Sequence, residues 1–253
     1  MESYYQQLAP YYKYFYNDWE ASVRHQAAVL GGVIQEFIGK DSRNILDAAC
    51  GVGTQSIGLA ELGYHVAASD LSSAALEMAR NDASKRGLKI EFKTADMRSL
   101  SAAYTQQFDV VIACDNAVPH LLSDADILTA FSQFYQCTRP GGGCIVSVRD
   151  YDSFERGPQR INARTVHELA GGRLVIFDVW EFEGDFYEMT TYVMEDQGLP
   201  TARTQVIRGG KYYCVTIPTL EKLLVKAGFE QVRILRDRFF QPLLVAKRPL
   251  GDL

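Results

Sequence analysis

Long apolar runs are missing from this chain. No stretch approaches the ~20 residues that a membrane-spanning helix needs, so no membrane partner is expected. Excess positive charge is missing as well. The formal net charge is −5 over 253 residues, which gives no electrostatic reason to expect nucleic acid or an anionic surface as partner. Cysteine is scarce: Cys50, Cys114, Cys137, Cys144 and Cys214 form an odd, scattered set with no C-x-x-C pair. That argues against zinc ribbons and disulfide scaffolds, and no metal is expected. Three of the five lie in apolar runs, where a free thiol acts as a small hydrophobe. The opening residues, MESYYQQLAPYYKYFYNDWE, are aromatic and polar, unlike a signal peptide. A reduced, cytoplasmic protein is the expectation. Internal repeats and low-complexity segments are also absent.

What is present is ordinary globular composition, with 47% hydrophobic and 23% charged residues. Apolar positions at helical spacing (Val23, Ala27, Leu30, Ile34, Phe37, Ile38) predict an amphipathic helix over 20–38. From there strand and helix alternate. Strands are expected at 44–49, 64–69, 89–93, 108–113 and 144–148, with helices at 54–62, 72–86 and 124–138. Five such alternations predict a doubly wound α/β domain with a mostly parallel sheet. After Asp150 the pattern changes. Segments 173–181 and 186–194 favour strand around the turn Glu183-Gly184-Asp185. Segments 204–208 and 212–217 flank Gly209-Gly210, which reads as a second hairpin. Pro218 opens a helix that Gly228 stops. Two final strands, at 229–235 and 240–246, suit the antiparallel edge of such a sheet. The prediction is a seven-stranded, Rossmann-like sheet with an antiparallel β insertion after the fifth strand.

The chemistry-bearing residues fall at successive strand ends. Asp47-Ala48-Ala49-Cys50-Gly51-Val52-Gly53 runs from a strand through a Gly-x-Gly turn into a helix. The glycines allow a tight turn and close backbone approach to a ligand. Ser56 stands where a dinucleotide fingerprint has its third glycine. Asp47 before the turn would repel a pyrophosphate and attract a positively charged amino group. Asp70 ends the second strand, where a carboxylate can accept both hydroxyls of a ribose. Asp96-Met97 follows the third strand, within reach of an adenine edge. An acid at any one of these places also serves as a helix cap or a solvated loop residue; the signal is their conjunction.

This set resembles the class I S-adenosylmethionine (SAM)-dependent methyltransferases, over roughly residues 43–148 and including Arg139-Pro140-Gly141-Gly142. The resemblance implies SAM as cofactor. Ala49, Gly51 and Gly53 would cradle its methionine part, with Asp47 near the amino group. Asp70 and Leu71 would hold the ribose side, and Asp96 and Met97 the adenine. Asn116-Ala117-Val118-Pro119-His120-Leu121, together with Val148-Arg149-Asp150-Tyr151-Asp152, further resembles the glycine/sarcosine N-methyltransferases. That likeness implies Arg24 on the SAM carboxylate, Asp115 and His120 at the cofactor, and a small amino-acid substrate. Arg149 would clamp its carboxylate with a bidentate fork, and Asn116 would add a hydrogen bond. Arg149 can equally pair with Asp150 or Asp152. His120 reads more readily as a structural residue than as a base. Tyr213, or its neighbour Tyr212, would add a wall. Tyr4, Tyr5, Tyr11, Tyr12, Tyr14 and Tyr16 either staple the first segment to the core or wall the site. Trp19 either stacks near the adenosine or is simply buried. A methyltransferase for another small molecule, such as an amino sugar, and a non-catalytic SAM-binding module remain open readings. So does a homo-oligomer. The expected organisation is a helical, aromatic segment over 1–40, a SAM-binding core over 41–150, an antiparallel lid over 151–217 and a completion of the core sheet over 218–253.

Overall fold

The computed structural model describes residues 2–153 and 156–251. Five strands, β1 (Asn44–Asp47), β2 (His65–Asp70), β3 (Glu91–Thr94), β4 (Phe108–Ala113) and β5 (Thr138–Ser147), are followed by four more, β6 (Gln159–Leu169), β7 (Gly172–Glu183), β8 (Phe186–Asp196) and β9 (Arg203–Tyr213). The chain closes with β10 (Glu230–Leu235) and β11 (Leu243–Lys247). The main sheet has seven strands in the order β10-β11-β5-β4-β1-β2-β3. Its strands are parallel except β11, which runs antiparallel to both β5 and β10. The expected doubly wound α/β fold is therefore present. The second sheet, β6-β7-β8-β9, is wholly antiparallel.

Among the described residues seven α-helices accompany the strands: α1 (Glu2–Leu8), α2 (Trp19–Val33), α3 (Thr54–Glu61), α4 (Ser73–Lys85), α5 (Leu100–Ala103), α6 (Asp124–Cys137) and α7 (Ile217–Lys226). β4 is buried at every position, as expected of a central strand covered on both faces. Val110 and Ile112 pack on one side with Leu30, Ile34 and Leu59. Val111 and Ala113 pack on the other with Phe131, Phe134 and Leu220. The starts of α4, α6 and α7 are fixed by side-chain caps: Ser72, Ser123 and Thr216 each accept a backbone N–H of the first turn. Among the described residues no helix is long and apolar enough to cross a membrane.

Three expectations need correction. The second hairpin does not form: β9 runs unbroken through Gly209-Gly210. The glycines instead sit where the β8–β9 register shifts, between Met189 and Thr191. A Cβ on Gly210 would lie 3.1 Å from the Tyr4 ring, so this residue makes room for the N-terminal arm. Next, β6 was not foreseen, because Gln159–Leu169 mixes charged and apolar residues without clean alternation. Last, β5 begins directly at Thr138, where helix α6 ends, rather than at Cys144.

The helical layer depends on one close approach. A Cβ on Gly58 of α3 would lie 2.6 Å from the Val23 carbonyl oxygen and 2.6 Å from Ala27 Cβ of α2. Alanine ordinarily stabilises a helix interior by up to ~1 kcal/mol over glycine, but overpacking against backbone costs ~1–3 kcal/mol. Gly58→Ala is expected to lower stability by ~1 kcal/mol or more in urea unfolding; a gain would show that the two helices part freely.

Candidate active site

A cavity of about 360 Å³ opens at the carboxyl ends of β1, β2 and β4, the end at which parallel sheets of this kind take ligands. Its floor is the turn after β1. Ala48, Ala49, Cys50 and Gly51 line it. Gly51 has φ 53°, and a Cβ there would meet nothing within 4 Å, so the backbone lies open to a bound group. Gly53 does not line the cavity. Its φ of 90° starts α3, and an added Cβ would press on Ile57 at 3.0 Å and Ala79 at 3.2 Å. Its requirement is helix packing.

Asp70 borders the cavity at the end of β2. Its Oδ2 accepts the Gly51 N–H at 2.8 Å and its Oδ1 the Ser72 N–H at 2.8 Å. Each oxygen keeps acceptor capacity, so a fixed carboxylate borders the cavity and can accept the hydroxyls of a diol such as ribose. Burial raises its pKa, and the backbone N–H groups oppose that shift. Asp47 lies behind the floor. It is 1% exposed, accepts Ser56 Oγ at 2.6 Å, and does not line the cavity. Burial pushes its pKa up to about 7. Any influence on a ligand's amino group is therefore through the field, across the turn. Ser56, in the place of a third glycine, exists to hydrogen-bond this acid.

Leu71, Asp96, Met97 and Arg98 form the opposite side. Arg98 grips Asp96 through its Nε and through Nη2 at 2.6 Å, and reaches Asp126 at 3.2 Å. The guanidinium holds the Asp96 carboxyl below its ordinary pKa. This keeps an ionised acceptor at the position suited to an adenine amino group. Together the open turn, the forked Asp70 and the anchored Asp96 fit an adenosyl ligand.

Asp115 and Asn116 follow β4 with φ of 54° and 63°, two successive residues in the left-handed region, each uncommon for a residue other than glycine. The turn is held by β5: the Asp115 N–H donates to Ser147 Oγ at 2.7 Å and the Asn116 N–H to the Ser147 carbonyl at 3.1 Å. Asp115 lines the cavity. Its Oδ2 accepts Tyr12 OH at 2.7 Å and Tyr16 OH at 3.4 Å. Asn116 is 1% exposed. Its amide is taken up by the Arg149 N–H at 2.9 Å and by Tyr151 OH. It thus positions the Arg149 backbone, and the expected direct hydrogen bond to a substrate is not what its side chain is set to make.

Arg149 is surrounded by rings. Its guanidinium lies 5.1 Å from the Trp180 centroid and 5.8 Å from that of Tyr212, and donates to Tyr187 OH at 3.0 Å. Tyr187 stacks on Tyr212 at 4.7 Å and on Trp180 at 4.8 Å. The structural alternative for Arg149 is not realised: Asp150 pairs with Arg236, and Asp152 with Arg156. His120 also lines the cavity. Its Nδ1 faces the Lys211 carbonyl at 3.0 Å and its Nε2 faces Tyr5 OH at 2.6 Å. A carbonyl only accepts, so Nδ1 carries the proton and Nε2 accepts from Tyr5. Burial pushes the His120 pKa down to about 3. The ring is neutral and orients Tyr5, which in turn meets Tyr212 OH at 3.1 Å.

Two assignments move. Arg24 sits on the exposed side of α2 and does not line the cavity. From this helix it is Gln26, buried and bonded to Gln55 of the cavity wall at 2.6 Å, that reaches the site. Tyr213 points to the other side of β9 from Tyr212, bonding Asp124 at 3.1 Å; Tyr212 does not line the cavity but meets Tyr5 of its wall at 3.1 Å. Of the N-terminal tyrosines, Tyr5 and Tyr12 line the cavity. Tyr4 is buried against Thr191 at 2.8 Å and staples the arm to the second sheet. Trp19 packs with Val23 and Val52 rather than in the cavity wall. Trp180 and Tyr187 were missed altogether; the alternation Ile176, Asp178, Trp180 on an inward strand face was the available signal.

Residues 45–142 match the family described as a methyltransferase domain. A glycine/sarcosine N-methyltransferase of Halorhodospira halochloris is 30% identical over 135 residues, 53% of this chain and 49% of that protein. Thus the match spans about half of that relative's length. A second, from Parasynechococcus marenigrum, is 26% identical over 87% of this chain and 73% of its own. A SAM-bound amino pentose methyltransferase from Micromonospora echinaspora superposes with a TM-score of 0.77 at 21% identity, covering 90% of this chain and 92% of that one. The chain resembles the class I SAM-dependent methyltransferases, and the comparisons support SAM as the cofactor of this domain.

Two outcomes follow from the geometry. Asp70→Ala removes two charged acceptor positions worth ~1.5–3 kcal/mol each, so SAM affinity measured by calorimetry should fall ~100-fold or more; unchanged affinity would move the ribose elsewhere. Asp47, with its folded pKa raised to about 7, favours the folded state most below the unfolded carboxylate range and loses that contribution as pH rises to about 7. The stability of Asp47→Asn relative to the native protein should therefore climb between about pH 4 and pH 7 and then level off, as read from urea midpoints.

Proposed function

We propose that this chain catalyses SAM-dependent methyl transfer to the amine of a small amino acid of the glycine/sarcosine type. The observation that carries the reading is Arg149. It has five N–H donors, one of which meets Tyr187 OH, and no carboxylate among the described residues lies within ion-pairing distance. A guanidinium held against rings without a counter-ion is costly to desolvate, and a substrate carboxylate in bidentate geometry answers that cost. The names of the two curated relatives point the same way.

SAM supplies an electrophilic methyl group on a cationic sulfur. What the protein adds is placement. Gly51 and Asp70 fix the cofactor end, Asp96 the adenine end, and Arg149 the acceptor. Charge is dispersed rather than created in such a displacement, so a held near-attack geometry is the main lever, with effective molarities worth ~7–11 kcal/mol. Tyr5 and Tyr12 close the cavity from the arm side and keep water from the reacting groups.

A second reading, transfer to an amino sugar, is favoured by the stacked Trp180, Tyr187 and Tyr212 rings and by the amino pentose enzyme that shares the fold. A panel of amino acids and amino sugars with labelled SAM separates the two. Arg149→Ala should raise KM for glycine or sarcosine ~100-fold, the cost of losing a charged, bidentate pair, and leave SAM binding nearly intact. Equal loss of both would remove the carboxylate clamp. Label transfer to amino sugars alone would establish the second reading, and SAM binding with no transfer at all would leave a binding module.

A further inference from the structure

We infer that Asp115 is the seat of the acceptor's amino nitrogen, a specificity-determining residue that pairs with Arg149 to select dipolar substrates. The inference rests on the reading of Arg149 above and names the other half of the same site.

Three observations carry it. First, Asp115 borders the cavity, and only one of its carboxylate oxygens is used. Tyr12 and Tyr16 both donate to Oδ2, and Oδ1 accepts no hydrogen bond from any described residue. Second, it has no cationic partner within ion-pairing distance among the described residues, whereas the other acids of the cavity wall are engaged. Asp96 and Asp126 share Arg98, and Asp70 caps two backbone N–H groups. An ionised oxygen left open beside a cavity invites a donor that carries positive charge. Third, its placement is bound to that of Arg149. Asn116, next in sequence, accepts the Arg149 N–H at 2.9 Å, and the two side chains are near enough for their charges to act on each other. The turn therefore puts an unpaired anion on the cavity wall and ties to it an unpaired cation that does not line the cavity but is set back among its rings. A small zwitterion complements that pair; a plain amine or a plain carboxylate satisfies half of it.

The strained backbone agrees with such a role. Residues held at positive φ cost ~1–3 kcal/mol and persist where the surroundings impose them. Here the strain aims Asp115 under the Tyr12 and Tyr16 hydroxyls. Those hydroxyls hold Oδ2 and leave Oδ1 for an amine N–H. Once the seated ammonium has given one proton to water, a remaining N–H keeps the contact with Asp115 and the freed lone pair is available to the methyl group.

The test uses Asp115→Asn, a replacement that tolerates positive φ well and so preserves the turn, with Tyr12→Phe as a milder second variant. For the intact chain, Asp115→Asn should lower kcat/KM for glycine or sarcosine ~100-fold, while the Kd for SAM stays within about threefold. Tyr12→Phe should lower kcat/KM in the same direction by ~10-fold. A binding measurement separates this inference from the reading it rests on. NMR titrations of adenosylhomocysteine-saturated protein use methylamine, which carries only the cation, and acetate, which carries only the anion. Asp115→Asn should weaken methylamine and spare acetate; Arg149→Ala should do the reverse. Methylamine binding untouched by Asp115→Asn, or a loss of SAM affinity as large as the loss in kcat/KM, overturns the assignment and gives Asp115 to the cofactor or to the arm. If the native protein methylates no amino acid at all, the proposed reaction fails, and the methylamine titration still decides the role of Asp115.

Discussion

The left-handed turn at Asp115-Asn116 is the constraint on which the site depends. It joins the ends of β4 and β5 through Ser147, whose hydroxyl and carbonyl accept the N–H groups of both residues. It also sends Asn116 inward to fix the start of the next loop, and Asp115 toward the cavity. Strain of this kind is stable only where several hydrogen bonds impose it. Those bonds come from the two central strands, so the placement of one anion and one cation is referred to the most rigid part of the sheet. The N-terminal arm then depends on this turn in its own way, since Tyr12 and Tyr16 dock on Asp115.

Charge is partitioned across the cavity in a way that suits its contents. Asp47, Asp70 and Asp96 surround the part that would hold a cationic cofactor, and two of them line it directly, while Asp115 lines the same cavity after β4. Arg149 is set back among Trp180, Tyr187 and Tyr212. Ring faces offer a cation modest stabilisation, of about 0.5–2 kcal/mol, without neutralising it. A full counter-ion would remove the electrostatic gain on binding a carboxylate. His120 takes no part in this charge pattern, because burial keeps it neutral; it acts as a strut between β9 and the arm.

Features governed by local chemistry were legible in the sequence. The Gly-x-Gly turn, the acids at successive strand ends and the turn at Gly184 each follow from a few adjacent residues. Features set by tertiary contact were not. Arg24 was placed at the cofactor by the resemblance, yet which side of its helix faces the cavity is decided by packing against α3. Tyr212 and Tyr213 differ by one position, and in a strand that reverses the face. Gly209-Gly210 has the composition of a hairpin turn. What distinguishes it is the Tyr4 ring, more than two hundred positions away, which needs the missing side chain. The role of Asn116 was likewise hidden, since its partners belong to β5 and the loop after it.

The arm carries a consequence for how the molecule is assembled. Tyr4 bonds Thr191 across 187 positions, and Tyr5 meets Tyr212 across 207. Contacts of such separation form late, after the loop-closure entropy of everything between them has been met. The residues of the arm must therefore wait for the second sheet before they find their seats. The wall of the binding chamber is the last part to be built, and a nascent chain holds the acids of its cavity in place before it has anything to enclose them.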